Sequence, residues 1–247
     1  MRKLFQQNLV KNHRDNIQYL DKNIPLDGPD TAGFDKQIKH WFALYYGLFF
    51  LDYYKIKRSI CIDIGVYKGL YSSIYARHFQ HVYSFEASPY ACLHAKSNFK
   101  RQKIPNITLH EVGILDFIGE ATFDQKFTDK EKLYIRGSSS FNPKAHPRHN
   151  DPLLQIKVPV KTLDSYKINP SFLKIDAEAT ELKILHGAYK TITTNLPFIQ
   201  IETNTADKLE IDKFLRDLGY KQIDLNNFSH IYSDTNAIED SYYMYPD

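Results

Sequence analysis

Ser59-Ile60-Cys61-Ile62-Asp63-Ile64-Gly65-Val66-Tyr67-Lys68-Gly69 reads as a buried strand running into a glycine-marked turn. Leu70 to Ala76 follows with helical spacing. The glycines let the backbone turn sharply and approach a ligand closely, and the helix start beyond them presents unpaired N–H groups. A strand, a tight turn and a helix in succession open a parallel sheet.

Outward from that unit, short apolar runs alternate with longer helical ones. Strands are predicted at Ser59–Ile64, His81–Glu86, Ile107–Val112, Phe172–Ile175 and Pro197–Glu202, with helices starting near Gly69, Tyr90, Thr180 and Asp207. The pattern is that of a doubly wound α/β fold with helices on both faces of a mostly parallel sheet. Tyr220–Leu225 and Ser229–Ser233, separated by Asn226-Asn227-Phe228, read as an antiparallel hairpin at the sheet edge. Residues 117–166 break the rhythm: Gly119–Phe123 and Leu154–Val158 look extended and flank a long polar loop, of the kind that is usually functional.

Residues 1–58 form a separate unit ahead of the α/β domain at 59–247. Their first 34 residues are polar and read as an arm. Asp35 to Tyr54 then carries apolar and aromatic residues all round, as in a helix packed on more than one face, with Gly47 leaving room for close approach. This helix offers either a wall for the acceptor or a contact with a second copy of the chain.

Composition narrows the function classes. With 247 residues, 43% hydrophobic and 25% charged, the chain is an ordinary globular one, large enough to fold without a disulfide or metal staple. The net charge of +3 is too small to argue for nucleic acid or an anionic membrane. Two cysteines without C-x-x-C spacing build neither a disulfide framework nor a zinc knuckle. The apolar run Trp41–Leu51 is shorter than the roughly 17–25 residues a membrane span needs. Polar residues from Gln6 onward interrupt any export signal, so a cytoplasmic location is expected.

Glu86 closes the second strand 17 positions after Gly69, close to the offset of about 20 at which a carboxylate accepts hydrogen bonds from ribose hydroxyls. Turn and carboxylate together indicate an adenosine ligand. A dinucleotide fingerprint wants a glycine where Tyr67 stands, so the turn better suits S-adenosylmethionine, while a nicotinamide dinucleotide stays open on this turn alone. Farther on, Phe172–Ile175 delivers Asp176 and Glu178 to a strand's carboxyl end, where open α/β sheets bind ligands, and Glu202 ends the next strand at the same rim. Glu178 and Glu181 have an alternative role in favouring the helix start.

Six segments in series, Asp63–Gly69, Phe85–Pro89, Gly113–Gly119, Thr162–Asp164, Lys174–Ala188 and Ile201-Glu202, give the chain from about Ser59 to Leu225 a pattern that resembles FkbM-type S-adenosylmethionine-dependent methyltransferases. The resemblance implies a Rossmann-like class I fold with seven strands, the last antiparallel, and methyl transfer to a hydroxyl of a sugar, glycan or other small metabolite. It implies cofactor binding by Asp63, Gly65, Tyr67, Gly69, Glu86, Ala87 and Gly113, with the Asp63–Gly69 turn at the methionine end, Glu86 at the ribose and Gly113 near the adenine. Asp176 and Glu178 are implied to fall nearest the reacting methyl; Asp176 is the expected base because it stands at the strand end, with Glu178 and Glu202 as orienting groups or alternative bases. Val66, Tyr67, Ala87 and Ala179 depart from the family pattern. A left-handed backbone at Ala179 would cost about 1 kcal/mol or more.

Other segments are weaker candidates. His146–Asp151 has metal-binding residue types, yet a solvated loop accounts for it, and no metal is expected. Ser138-Ser139-Ser140 can hydrogen-bond a polar substrate or simply make a turn. Lys96, Lys100, Arg101 and Lys103 suit a solvated helix face better than RNA. The expected function is therefore an O-methyltransferase using S-adenosylmethionine. The alternatives are a non-catalytic binder of that nucleoside, an RNA methyltransferase or an NAD-dependent oxidoreductase.

Overall fold

A computed structural model of the chain describes residues 34–129, 134–143, 152–203, 207–228 and 240–246. In chain order the described elements are helix α1 (Phe34–Tyr53), β1 (Ile60–Ile64), α2 (Leu70–Tyr75), β2 (His81–Glu86), α3 (Pro89–Arg101), β3 (Ile107–Glu111), β4 (Gly113–Ile114), β5 (Gly119–Asp129), β6 (Tyr134–Ile135) and β7 (Leu153–Lys161). There follow β8 (Phe172–Ile175), α4 (Glu181–Gly187), α5 (Tyr189–Asn195), β9 (Phe198–Glu202), α6 (Lys208–Asp217), β10 (Lys221–Gln222) and β11 (Asp240–Met244).

Seven strands make one sheet in the order β3-β2-β1-β8-β9-β11-β10, with β11 antiparallel to both neighbours and the remaining pairs parallel. The five strands expected from periodicity fall within about one residue of their predicted bounds. The order reverses direction at β1, which lies between β2 and β8. That reversal opens a crevice at the strands' carboxyl ends, where ligands bind in such sheets.

The edge hairpin differs from the sequence reading. β10 pairs with Asp240–Met244, Lys221 facing Met244, and Leu225–Phe228 forms a 3-10 turn; Ser229–Ser233 lies outside the described residues. Tertiary packing explains the turn. Phe228 is drawn into an aromatic core, its ring centroid 5.6 Å from that of Phe49 and 5.2 Å from that of Phe50.

Strand alternation gives the sheet two buried faces. On one, Cys61, Val82, Phe172, Phe198 and Tyr242 pack beneath α1 and α2, where Tyr46, Phe50 and Tyr75 are fully buried. On the other, Ile62, Ile64, Leu173, Ile175, Ile199 and Ile201 meet Ile184, Leu185, Ile192, Ile211 and Leu215 from α4, α5 and α6. The close approach expected at Gly47 is present, since a Cβ there would lie 2.6 Å from Gln200 Oε1.

The interrupted segment folds as a second sheet, in the order β4-β7-β5-β6. β5 and β7 run antiparallel from Gly119 opposite Val160 to Lys126 opposite Leu153. Helix α3 begins at a Ser88 cap that accepts the Ala91 N–H at 3.1 Å, with Pro89 at its first position.

Candidate functional site

Two polar rows cross the main sheet on the face beneath α1 and α2. In the lower row Ser84, Asp63, Lys174, Gln200 and Tyr242 are register partners across β2, β1, β8, β9 and β11. Each stands on a strand whose neighbouring residues point to the opposite face, so a line of polar side chains threads an otherwise apolar layer. Ser72 Oγ donates to Asp63 Oδ2 at 2.5 Å and meets Ser84 Oγ at 2.8 Å. Tyr75 donates to Gln200 Oε1 at 2.6 Å, and Gln200 Nε2 donates to Asp240 Oδ2 at 2.5 Å.

Lys174 is the cation of this line. Its Nζ lies 3.0 Å from Asp176 Oδ2, 3.7 Å from Asp63 Oδ1 and 4.2 Å from the centre of the Tyr71 ring, with only 1% of the side chain exposed. Burial by itself disfavours an ammonium, but Asp176, Asp63 and Asp240 together outweigh it and hold Lys174 above the ordinary lysine value. Burial also raises the Asp63 carboxyl, against the lowering effects of Lys174 and Ser72.

One step toward the carboxyl edge the same register brings together the upper row: Glu86, Gly65, Asp176, Glu202 and Asp240. Ladder bonds from Gly65 N to Phe85 O and from Asp176 N to Ile64 O, both 3.0 Å, carry the pairing to this level, and Glu202 faces Asp240 directly. Four carboxylates and one glycine thus line the rim, with the glycine at the reversal point. Gly65 has φ 84, and a Cβ there would collide with the Asp176 carbonyl oxygen. The sequence-predicted residues Gly65, Glu86, Asp176 and Glu202 therefore share one line.

Glu86 is fixed by the turns around it. Its Oε2 accepts the Tyr67 N–H and its Oε1 the Ser88 N–H, each at 2.8 Å. Burial raises this carboxyl while those N–H groups work against the rise. Tyr67 adopts a left-handed backbone, φ 51, and its hydroxyl donates to Ile135 O at 3.0 Å, so the ring belongs to a cluster with Ala91, Phe127 and Ile135. Ala87 lies between Glu86 and Ser88, and Gly69 caps α2 with φ 88. Gly113, just past β3, packs beneath the Phe141 ring and opposite Val160.

Glu178 and Ala179 take successive left-handed conformations, φ 56 and 67, in the turn between β8 and α4. The anticipated cost at Ala179 is therefore incurred. Glu181 accepts the Ala177 N–H at 2.9 Å, and burial pushes its carboxyl up to about 7. Glu202 is 8% exposed and its Oε2 has no hydrogen-bond partner. Burial first, and then Asp176, Glu178, Glu181 and Asp240, raise it well above the carboxylate range.

Comparison with known proteins places the chain in a family. The family profile described as a methyltransferase FkbM domain matches residues 63–221, well over half of the chain. This chain belongs to the FkbM methyltransferase family. A solved methyltransferase FkbM from Methylobacillus flagellatus KT superposes with a TM-score of 0.50 at 16% identity, over 98% of this chain. The match spans 60% of that longer chain and shows the shared class I, Rossmann-like fold. An rRNA methylase from Streptococcus thermophilus matches at 14% identity and a TM-score of 0.46, over 82% of this chain and 94% of its own. Among curated proteins no sequence matches this chain.

In this member of the FkbM family the second sheet reaches the rim through the serine run. Ser140 donates to Glu178 O at 2.5 Å and Asn142 Nδ2 to Ala179 O at 3.3 Å. Ser139 Oγ accepts from Gln125 Nε2 and from Lys126 N, both at 3.0 Å, and Gln125 Oε1 accepts from Ser88 Oγ. The substrate contact considered for Ser140 is thus replaced by a structural one, because its hydroxyl is committed to a backbone carbonyl and is 1% exposed.

Lys174 and Asp240 complete the site, and neither was singled out from sequence. Lys174 had a signal, since it sits two residues before Asp176 on a strand and must share its face. Asp240 had none, because the edge pairing was assigned elsewhere. Lys96 pairs with Glu111 at 2.5 Å and Arg101 donates to Asn98 at 2.8 Å, so α3's basic face is engaged with its own surroundings. His146–Asp151 lies outside the described residues.

Proposed function

We propose that this methyltransferase binds S-adenosylmethionine across the crevice and methylates a hydroxyl of a sugar, glycan or other small metabolite. The observation that carries the reading is the upper row: a glycine at the sheet's reversal point, where only a residue without a Cβ lets the β1 turn pack against the Asp176 carbonyl, flanked by Glu86 on one side and Asp176 on the other. The crevice such sheets open at the reversal, with carboxylates at the ends of the strands beside it, supports a nucleoside bearing an amino-acid tail. The backbone of the Asp63–Gly69 turn would hold the methionine end, with Asp63 beneath it as support, and Glu86 the ribose. Ala87 and the backbone near Gly113 would border the adenine.

Bound there, S-adenosylmethionine supplies an electrophilic methyl group. Asp176 accepts the proton of the acceptor hydroxyl, with its other face anchored by Lys174. A general base of this kind contributes roughly 100- to 10,000-fold. Glu178 and Glu202 flank Asp176 and orient the acceptor. Orientation of the two reactants supplies the remainder. The expected location is cytoplasmic.

Calorimetric titration with S-adenosylmethionine and S-adenosylhomocysteine, followed by a screen of hydroxyl acceptors for methyl transfer, tests this. Absence of binding by either nucleoside would overturn it. A second reading, a nucleoside binder without turnover, is favoured by Tyr67 and Ala179, which put side chains at left-handed positions where the family pattern carries smaller residues. Binding without transfer to any acceptor class would support that reading instead.

A further inference from the structure

Glu202 stands between Asp176 and Asp240 in the upper row, and Glu178 and Glu181 face it from the β8–α4 turn and the start of α4. Like charges directly opposite on neighbouring strands repel, and both members of the Glu202–Asp240 pair are 8% exposed. The Asp240 carboxylate is compensated by Gln200 Nε2, and the nearby buried cation, Lys174, is committed to Asp176 and Asp63. Glu202 Oε2 is sealed from solvent with no donor. A buried carboxylate without a donor or counter-charge is costly, so the group stays neutral until a positive charge arrives.

We propose that the row selects a cationic ligand group, the sulfonium of S-adenosylmethionine, and that Glu202 holds a proton in the free protein and releases it to solvent when that group binds. This rests on the nucleoside reading of the crevice. The Glu202 O–H bond breaks heterolytically, the proton leaves to buffer, and the carboxylate remains against the cation; no electron changes hands.

The test is calorimetry of the full chain with S-adenosylmethionine and with S-adenosylhomocysteine, which lacks the sulfonium charge. Each is titrated in phosphate and in Tris between pH 6.5 and 8.5. The expected result is net proton release with S-adenosylmethionine, approaching one proton, and little with S-adenosylhomocysteine. Full coupling raises the affinity for the sulfonium about tenfold per pH unit. Glu202→Gln, neutral and nearly isosteric, should abolish the Glu202-dependent release.

Binding of S-adenosylmethionine without release, equal release by both nucleosides, or release that persists in Glu202→Gln overturns the proposal and leaves the nucleoside reading standing. No binding of either nucleoside by the wild-type chain overturns both. If Glu202→Gln does not fold, Asp240→Asn decides. Removing the facing charge must shrink the release, and an unchanged value counts against the proposal.

Discussion

Ser140 donates its hydroxyl to the carbonyl oxygen of Glu178 at 2.5 Å, tying the second sheet to the most strained turn on the rim. Glu178 and the following Ala179 are both left-handed, a conformation that costs an L-residue about 1–2 kcal/mol, and the bond helps to hold them there. Ser140→Ala should lower stability by about 1 kcal/mol. Ala179→Gly should raise it by up to about 1 kcal/mol, since glycine adopts φ 67 without strain. Urea denaturation midpoints check both. Equal effects of the same sign would show that this turn is not under strain.

Lys174 is the counter-charge for the fully buried Asp63 and for Asp176 at the rim, so its loss is expected to be severe. Lys174→Met keeps the length and apolar stem but leaves Asp63 and Asp176 without their cation, at a cost of about 3–5 kcal/mol near neutral pH. The deficit should narrow on the acid side, where the Asp63 carboxyl, already raised by burial, takes up a proton. Paired urea titrations at pH 5 and pH 7.5 measure it. A deficit that does not depend on pH would mean that Lys174 acts through packing alone.

Much of the rim was legible because strand periodicity and the position of strand ends are local properties. Asp63, Gly65, Glu86, Asp176 and Glu202 all fall at or beside the carboxyl end of an apolar run, and in a parallel sheet those ends lie on one side. What stayed hidden depends on contacts between distant segments. Asp240 reaches the row only because β11 pairs with β9, a long-range pairing that the local sequence does not signal. Ser140 reaches Glu178 only because the second sheet folds back over the turn. Phe228 is part of an Asn-rich turn by sequence, yet burial against Phe49 and Phe50 governs the local chain path.

Asp176→Asn should separate chemistry from binding. The amide still accepts from Lys174 but cannot take a proton, so methyl transfer to an acceptor is expected to fall about 100- to 10,000-fold. Affinity for S-adenosylhomocysteine should stay within about threefold, a change of less than 1 kcal/mol. Turnover at the wild-type rate would remove Asp176 from the role of base and shift it to Glu178 or Glu202.

Glu181 sets the pH dependence of stability in the neutral range. Burial pushes its carboxyl up to about 7 from the ordinary glutamate value of 4.5, so between those values the folded chain binds more protons than the unfolded one. The Glu181 contribution to stability must therefore fall as pH rises from about 4.5 to about 7 and then level off, by up to about 3 kcal/mol. Glu202, whose carboxyl is raised farther, adds a fall of the same sign over this window and beyond it. Glu181→Gln keeps an acceptor for the Ala177 N–H but cannot ionise, so it should make the curve less steep from pH 5 to 7.5 and exceed the wild type by about 1–3 kcal/mol at pH 8. Because Asp176 and Glu178 add to the penalty on Glu181, the gain should be smaller in the Asp176→Asn background. Stability curves of variant and wild type that superimpose across this range would place the Glu181 charge in water rather than under the turn.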